Sequence, residues 1–505
     1  MPDITRLFRE RSLSDIRTFA LQPGMKELAT CAQWRVDAFA GVIGASFDDE
    51  LASLEDFVAD QQDQAALVAT RDGNAAGTCL LVSSEIEPVH DVSPWLAGSG
   101  LIPSGLANPF RIETRDLSRM TVSPPVRELI ANVSEPFERA RAMPPSVYTS
   151  LEFLDREIKD VFAKEWVTVG RADALKKPGD YLTYELAGQP IFVIRDGDGK
   201  LRAMSNVCLH RMSTLLEGSG NKRAIVCPYH AWTYNLDGTL RAAPAMQLNR
   251  DFCAEHYRLP AVRCEEWLGW IMVTLNRELP PVAEHLSEVQ GLIDDFAMET
   301  YTETFRETHV WDTNWKILAE NFMESYHLPM CHAGTIGGLS KLDEMDCPPG
   351  LPTFNYHTIL KDGTLKIALA HPNNTRMQGD RRRTTFLLAV YPSMLMTLTP
   401  GYFWYLSLHP HGVGQVHMIF GGGMSPDFVN SPDAQASFAQ LKTLLDKVNI
   451  EDRGCTERVY RGVSAGAARA GHLSHLERPN YDFAQYLAEK TGGFRRAFDG
   501  LVAAK

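Results

Sequence analysis

From about Tyr148 onward the chain alternates apolar and polar residues in short runs. A lead-in segment, SLEFLDREIKDVFAKEW, spaces its apolar residues for one face of a helix. DYLTYEL, PIFVIRD and KLRAMSN follow with a period of two, the mark of half-buried strands. DGDG at Asp196–Gly199 suits a hairpin turn, and LDG closing at Gly238 suits another. A small antiparallel domain is expected here. Past Leu286 the pattern mixes types: a helix over Asn314–Tyr326, a meander of TTFLLAVY, SMLMTLT, YFWYLSLH and QVHMIFGG, then helix again over Ser437–Asn449 and Glu451–Arg461.

The first part reads differently. Helical spacing is present over Met25–Ala45 and Asp48–Asp60, and two strand-like runs, Ala65–Thr70 and Gly77–Val82, flank a turn at Arg71–Asn74. Proline- and glycine-rich sequence from Ser93 to Pro109 ends that pattern. The expected organisation is an α/β N-terminal segment over 1–140, a small β domain with its leading helix over 141–285, and a larger domain over 286–505. The overall class is α+β.

Composition changes this picture little. The 505 residues, 44% hydrophobic and 22% charged, suit a globular chain of more than one core. A net charge of −13 argues against nucleic acid or an anionic membrane as partner. No apolar run reaches membrane-spanning length, and the N-terminus lacks a signal-like apolar core. Nine scattered cysteines do not form a secreted disulfide framework. A cytoplasmic protein is expected.

The cysteines matter at two points. Cys208-Leu-His210 and Cys227-Pro-Tyr-His230 form a C-x-H and C-x-x-H pair. Two thiolates and two imidazoles are the donors of a Rieske [2Fe-2S] centre. A zinc site is the competing reading, but zinc spacings usually pair cysteine with cysteine and histidine with histidine. Farther on, WDTNWKILAENFMESYHLPMCH places His327 and His332 five apart at a helix end, with Pro329 expected to break the helix between them. Two histidines and a carboxylate bind ferrous iron on one face and leave positions open for dioxygen and substrate.

With both motifs in this order, the chain from Pro136 to Tyr486 resembles the oxygenase (alpha) subunits of Rieske non-haem iron oxygenases. The resemblance implies a Rieske domain followed by a helix-grip catalytic domain, with one [2Fe-2S] cluster and one mononuclear Fe(II) per subunit. It implies that the third iron ligand comes from NIEDRGCTERVYRGV, where alignment favours Asp452 over the adjacent Glu451 and the earlier Asp446. Tyr460 stands where the family often has glutamine, which leaves the register open. It also implies that Glu324 links a cluster histidine of a neighbouring subunit to an iron histidine within a head-to-tail homotrimer. A glutamate at this position resembles the carnitine and glycine-betaine oxygenases, whereas many ring-hydroxylating members carry aspartate. Residues 25–98 separately resemble the first half of a GNAT-class N-acetyltransferase, but the glycine-rich pyrophosphate loop is missing.

The cluster carries one electron at a time and the chain has no G-x-G-x-x-G motif, so an external flavin/iron–sulfur reductase is expected as donor. With dioxygen the products would be hydroxylation or oxidative N-demethylation of a small substrate. Phe386, Tyr391, Phe403, Trp404 and Tyr405 are candidate cavity walls, and aromatic faces attract quaternary ammonium groups. Arg381, Arg382 and Arg383 are candidates for a substrate carboxylate. An aromatic substrate for a ring-hydroxylating dioxygenase, and a Rieske electron carrier without catalysis, are the alternatives.

Overall fold

The computed structural model describes residues 123–338, 341–361 and 368–494, the strands at 16–20, 64–71 and 74–82, and Ala29 and Ala32. The chain divides into two compact units, Met1–Asp116 and Leu117–Lys505.

In the first unit, β1 (Ile16–Ala20), β2 (Gln64–Arg71) and β3 (Asn74–Val82) form an antiparallel sheet in that order. Arg71 pairs with Asn74, so the expected turn is where the sequence puts it. The helices expected over 25–45 and 48–60 lie outside the described residues, apart from the helical Ala29 and Ala32.

The second unit begins well before residue 140. Helix α1 (Pro124–Val133) buries Val126 and Leu129, and Val126 and Ile130 press against Gly492, where a side chain would collide with them. Tyr481 Oη donates to the Glu135 carbonyl at 2.7 Å, closing the same seam. The segment expected to belong to an extension is therefore a strut of the main unit.

The leading helix runs over Leu151–Arg156 (α2) and widens into a π turn over Glu157–Phe162. Then comes a seven-stranded antiparallel sheet built on β4 (Val167–Arg171), β5 (Asp180–Leu186), β6 (Gln189–Arg195), β7 (Leu201–Ser205), β8 (Ser219–Asn221), β12 (Ala261–Trp267) and β13 (Trp270–Thr274). A smaller sheet of β9 (Ile225–Val226), β10 (Thr233–Tyr234) and β11 (Leu240–Ala242) stands between its strands in sequence. A separate hydrophobic core in the small domain buries Cys208, Cys227, Trp232 and Tyr234.

The catalytic part holds a second seven-stranded sheet, ordered β14 (Thr302–Trp311), β20 (Val416–Met424), β19 (Tyr402–Pro410), β18 (Met394–Leu398), β17 (Thr384–Val390), β16 (Phe354–Leu360) and β15 (Met345–Asp346). Helices α3 (Trp315–Met323), α4 (Leu328–Cys331), α5 (Ala434–Val463) and α6 (Arg478–Gly492) complete it. The two terminal helical runs expected from sequence are one continuous helix, α5. The α+β class, with antiparallel sheets and covering helices, stands. No helix among the described residues is long and apolar enough to cross a membrane.

Candidate metal centres

Asn314 caps α3, its side chain accepting from Lys316 N–H at 3.0 Å. The helix stops at Met323, and Glu324 is already extended (φ −131°, ψ 153°). The expected helix to Tyr326, broken by Pro329, is thus corrected. His327 caps the separate short α4, and Pro329 sits in its first turn, where its missing N–H costs nothing. The chain reverses between the two helices, and this brings His327 and His332 together with ring centroids 5.2 Å apart.

Asp452, midway along α5, completes the group. Its Oδ1 lies 3.0 Å from His332 Nε2 and 3.5 Å from His327 Nε2. One donor atom from each of the three residues falls within 4.8 Å of the others, close enough for one ion. Glu451 points elsewhere: its Oε2 sits 2.7 Å from His332 Nδ1 and accepts from the Thr335 hydroxyl. Asp446 pairs with Lys442. The geometry therefore separates three neighbouring acids that the sequence left in competition.

Each imidazole keeps Nε2 for the shared point and turns Nδ1 to its own carboxylate. Glu324 accepts from His327 twice, from ring Nδ1 at 2.5 Å and from main-chain N–H at 3.0 Å. A carboxylate on the far nitrogen fixes the tautomer and raises the basicity of the near one. Burial disfavours the charged ring of His327, but Asp452 and Glu324 outweigh it and its pKa is pushed up to about 10. Burial likewise opposes the Asp452 carboxylate, and the two histidines still hold it below its usual range. Two neutral imidazoles offering Nε2 and one ionised carboxylate, convergent on one point, are a fitting donor set for Fe(II).

These donors border a cavity. Trp311, Phe322, Tyr402 and Trp404 line it, with Leu406, Leu387 and Ile359. Phe322 meets Trp404 edge to face at 5.3 Å.

At the other centre, two loops share one conformation. Met212 N–H donates to the Cys208 carbonyl and Ala231 N–H to the Cys227 carbonyl, at 3.0 and 3.1 Å. Met212 (φ 53°) and Ala231 (φ 56°), each four past its cysteine, take the same left-handed turn. His210 and His230 then face each other with centroids 4.7 Å apart. Trp232 stacks on His210 at 5.0 Å and 5°. Burial raises the Cys227 thiol, yet the N–H groups of Tyr229 and His230 outweigh it and lower its pKa. His210 Nδ1 is buried without a protein partner, which is what a ring nitrogen reserved for a metal requires. The four side chains fit a [2Fe-2S] cluster.

A model of the Rieske [2Fe-2S] domain matches residues 165–257, and one of the ring hydroxylating alpha subunit (catalytic domain) matches 298–493. The chain belongs to the Rieske oxygenase family. Over 205 residues it is 37% identical to the carnitine monooxygenase oxygenase subunit of Acinetobacter baumannii, covering 39% of this chain and 53% of the relative. It thus spans about half the length of that relative. Choline monooxygenase of Beta vulgaris is 28% identical over 362 residues, 70% of this chain and 78% of the relative. Among solved structures, a quaternary ammonium Rieske monooxygenase with bound L-carnitine superposes with a TM-score of 0.60 at 22% identity, covering 74% of this chain and 99% of that one. A naphthalene 1,2-dioxygenase with bound indole gives 0.59 at 17% identity, covering 72% and 95%.

The cavity walls correct the sequence reading. Of the five aromatics expected there, only Trp404 lines the cavity. The period of two explains why. Tyr402, Trp404 and Leu406 share one face of β19, while Phe403 and Tyr405 face the opposite side and pack on Trp270. Phe386 packs on Phe296, and Tyr391 on Tyr486. Trp311, Phe322 and Tyr402 were missed. Trp311 and Phe322 lie on other elements, and no local pattern links them to the cavity. The arginines are committed elsewhere: Arg381 to Asp295, Arg383 to Asp380, Arg382 to the carbonyls of Asn374, Met377 and His371.

Proposed function

We propose that this chain is the terminal oxygenase of a multicomponent system that oxidises a small quaternary ammonium compound, by hydroxylation or oxidative N-demethylation. The observation that carries this reading is the convergence of His327, His332 and Asp452 beside a cavity walled by Trp311, Phe322, Tyr402 and Trp404. Aromatic faces hold methylated ammonium by cation–π attraction. The names of the carnitine and choline monooxygenase relatives point the same way. When bound, the cluster supplies electrons singly and the mononuclear iron supplies dioxygen activation.

In this reading Cys208, His210, Cys227 and His230 hold the cluster, and His327, His332 and Asp452 hold the iron. Glu324 and Glu451 hold the two iron imidazoles in the tautomer that offers Nε2. The aromatic wall orients the methylated head and excludes water. Electrons arrive from a separate flavin/iron–sulfur reductase, and the protein acts in the cytoplasm.

The reading includes a head-to-tail homotrimer in which Glu324 faces the neighbouring subunit's cluster. Two exposed apolar patches support it. Met212, Tyr229 and Leu248 are 77%, 57% and 95% exposed in the small domain, and Tyr326, Met330 and Ile450 are 50%, 84% and 71% exposed beside the iron donors. Different patches that complement each other close into a ring.

Iron analysis and a product screen with a surrogate reductase test the function. About three irons and two acid-labile sulfides per chain are expected for both centres together. Formaldehyde or an aldehyde from a trimethylammonium substrate supports the reading. A cis-diol from an aromatic acid, with no ammonium turnover, overturns it in favour of a ring-hydroxylating dioxygenase. Two irons and no turnover leave electron transfer alone.

A further inference from the structure

Two cysteines that the metal chemistry does not use meet beside the iron donors. Cys331 is the last residue of α4 and directly precedes His332. Cys455 lies in α5, three residues past Asp452 and so on the same helical face. Their Sγ atoms are 2.8 Å apart, although 124 positions separate them in the chain. Both residues are half-buried, and neither lines the cavity. The pairing is selective. Cys253 donates instead to Glu255 and Cys347 to the Leu476 carbonyl, while Cys208 and Cys227 belong to the cluster loops.

Geometry decides what such a pair can do. A disulfide holds its sulfurs about 2.05 Å apart, so less than about 1 Å of closure remains. Small side-chain rotations supply that without moving α4 or α5. The bond would join the short segment that carries both histidines to the long helix that carries Asp452. Glu451 now spans the same gap by hydrogen bonds alone, from His332 Nδ1 and from the Thr335 hydroxyl. An ion held by three donors leaves by losing them one at a time, and a cross-link keeps each released donor within reach of the others.

We propose that Cys331 and Cys455 form a reversible disulfide site, a latch that holds the iron cage closed when oxidised. The co-reactant is a low-molecular-weight disulfide of the glutathione class. One protein thiol gives up its proton and attacks a glutathione sulfur, whose S–S bond breaks, and one glutathione leaves as the thiol. The second protein thiol attacks the mixed disulfide at the protein sulfur, the Sγ–Sγ bond forms, and the second glutathione leaves as the thiol. The protein loses two electrons and two protons, and the glutathione disulfide gains both. In a reducing cytosol such a bond is transient and serves redox sensing.

The test equilibrates the iron-loaded, cluster-containing protein under argon in glutathione buffers from fully reduced to fully oxidised. Free thiols are then alkylated, and mass spectrometry of the digest reads the linkage. A cross-linked Cys331–Cys455 peptide should grow with the oxidised fraction and disappear on addition of dithiothreitol. Release of Fe(II) to an excess of chelator should slow by at least about tenfold in the oxidised protein and recover after reduction. Cys331→Ser and Cys455→Ser should each lose the linked peptide and release iron at one rate in both buffers. A contact that serves packing alone would alter that rate in the variants and give the wild type no redox response. No linked peptide at the most oxidising ratio overturns the site. A linked peptide with an unchanged rate of iron release overturns the latch.

Discussion

Glu324 grips His327 at two atoms, accepting from the ring at Nδ1 and from the main chain at N. The short extended step after α3 makes this possible, because a continuing helix would have carried the carboxylate past the ring. Glu324 as a whole is only 9% exposed, so the ring's tautomer is set locally. Glu324→Ala should weaken iron binding much as loss of the other histidine support does, and, once reloaded to full iron content, should still lower turnover by at least about a hundredfold if Glu324 is the electron gate as proposed. Iron analysis with single-turnover kinetics checks it. Normal turnover with full metal content would sink the gating role.

Asp452 and Glu451 are adjacent but face different atoms, so their removal should differ in kind. Asp452→Ala takes away a donor, and iron should fall from about three to about two per chain with the cluster intact. Glu451→Ala removes only the support on His332 Nδ1, and iron affinity should weaken by about 10- to 100-fold. Titration of the iron-depleted variants with Fe(II) under argon separates the two. Equal losses would mean that both acids touch the metal.

Beneath α3 lies a fully buried ion pair, Lys316 Nζ to Glu157 Oε2 at 3.0 Å. Lys316→Met would strand the Glu157 carboxylate in the core at a cost of about 3–5 kcal/mol, visible as a lower urea midpoint. The double variant Lys316→Met/Glu157→Gln should recover much of the loss, because no buried charge is then left alone. A double variant no more stable than the single would show that the lysine acts by packing.

Much of this centre was legible because its chemistry is local. Both halves of the cluster motif lie on single loops, and His327 and His332 lie on one short segment. Asp452 needed the alignment with relatives, since 120 residues separate it from His332 and helical charge alone does not single it out. The strands of the meander were readable from alternation, but which of the two faces meets the cavity was not. That depends on which face the helices cover, and it reversed the assignment of Phe403 and Tyr405 while keeping Trp404. The break after Met323 was hidden because Pro329 ends a helix as readily as it begins one.

The two faces of β19 give a direct contrast. Trp404→Ala removes a wall of the cavity, and the affinity for a trimethylammonium compound should drop by about 2- to 30-fold with the fold intact. Phe403→Ala empties a site packed on Trp270 and Tyr301, so it should destabilise by about 3–5 kcal/mol and leave ligand affinity nearly unchanged. Calorimetric binding and thermal melts, run on both variants, read the two effects separately. A Phe403→Ala variant that binds poorly but melts normally would put the cavity on the wrong face.

At the cluster, the Tyr234 hydroxyl lies 3.3 Å from Cys208 Sγ and accepts from Leu209 N–H at 3.0 Å. Burial first, and then the Cys208 thiol, push the Tyr234 pKa up. The phenol therefore stays protonated across the working pH range and is the donor once Cys208 is a thiolate. A hydrogen bond to a ligand sulfur favours the reduced, more negative cluster, and hydrogen bonds to the sulfurs are among the factors that set such potentials. Removing it favours the oxidised state. Tyr234→Phe should keep the cluster's visible spectrum, because all four donors remain, and should shift its reduction potential downward. The weaker oxidant would accept electrons from the reductase less readily, so the rate of cluster reduction should fall while substrate affinity stays constant. A redox titration followed by circular dichroism measures the potential without any turnover. An unchanged potential would mean that the hydroxyl serves only to cap Leu209 N–H.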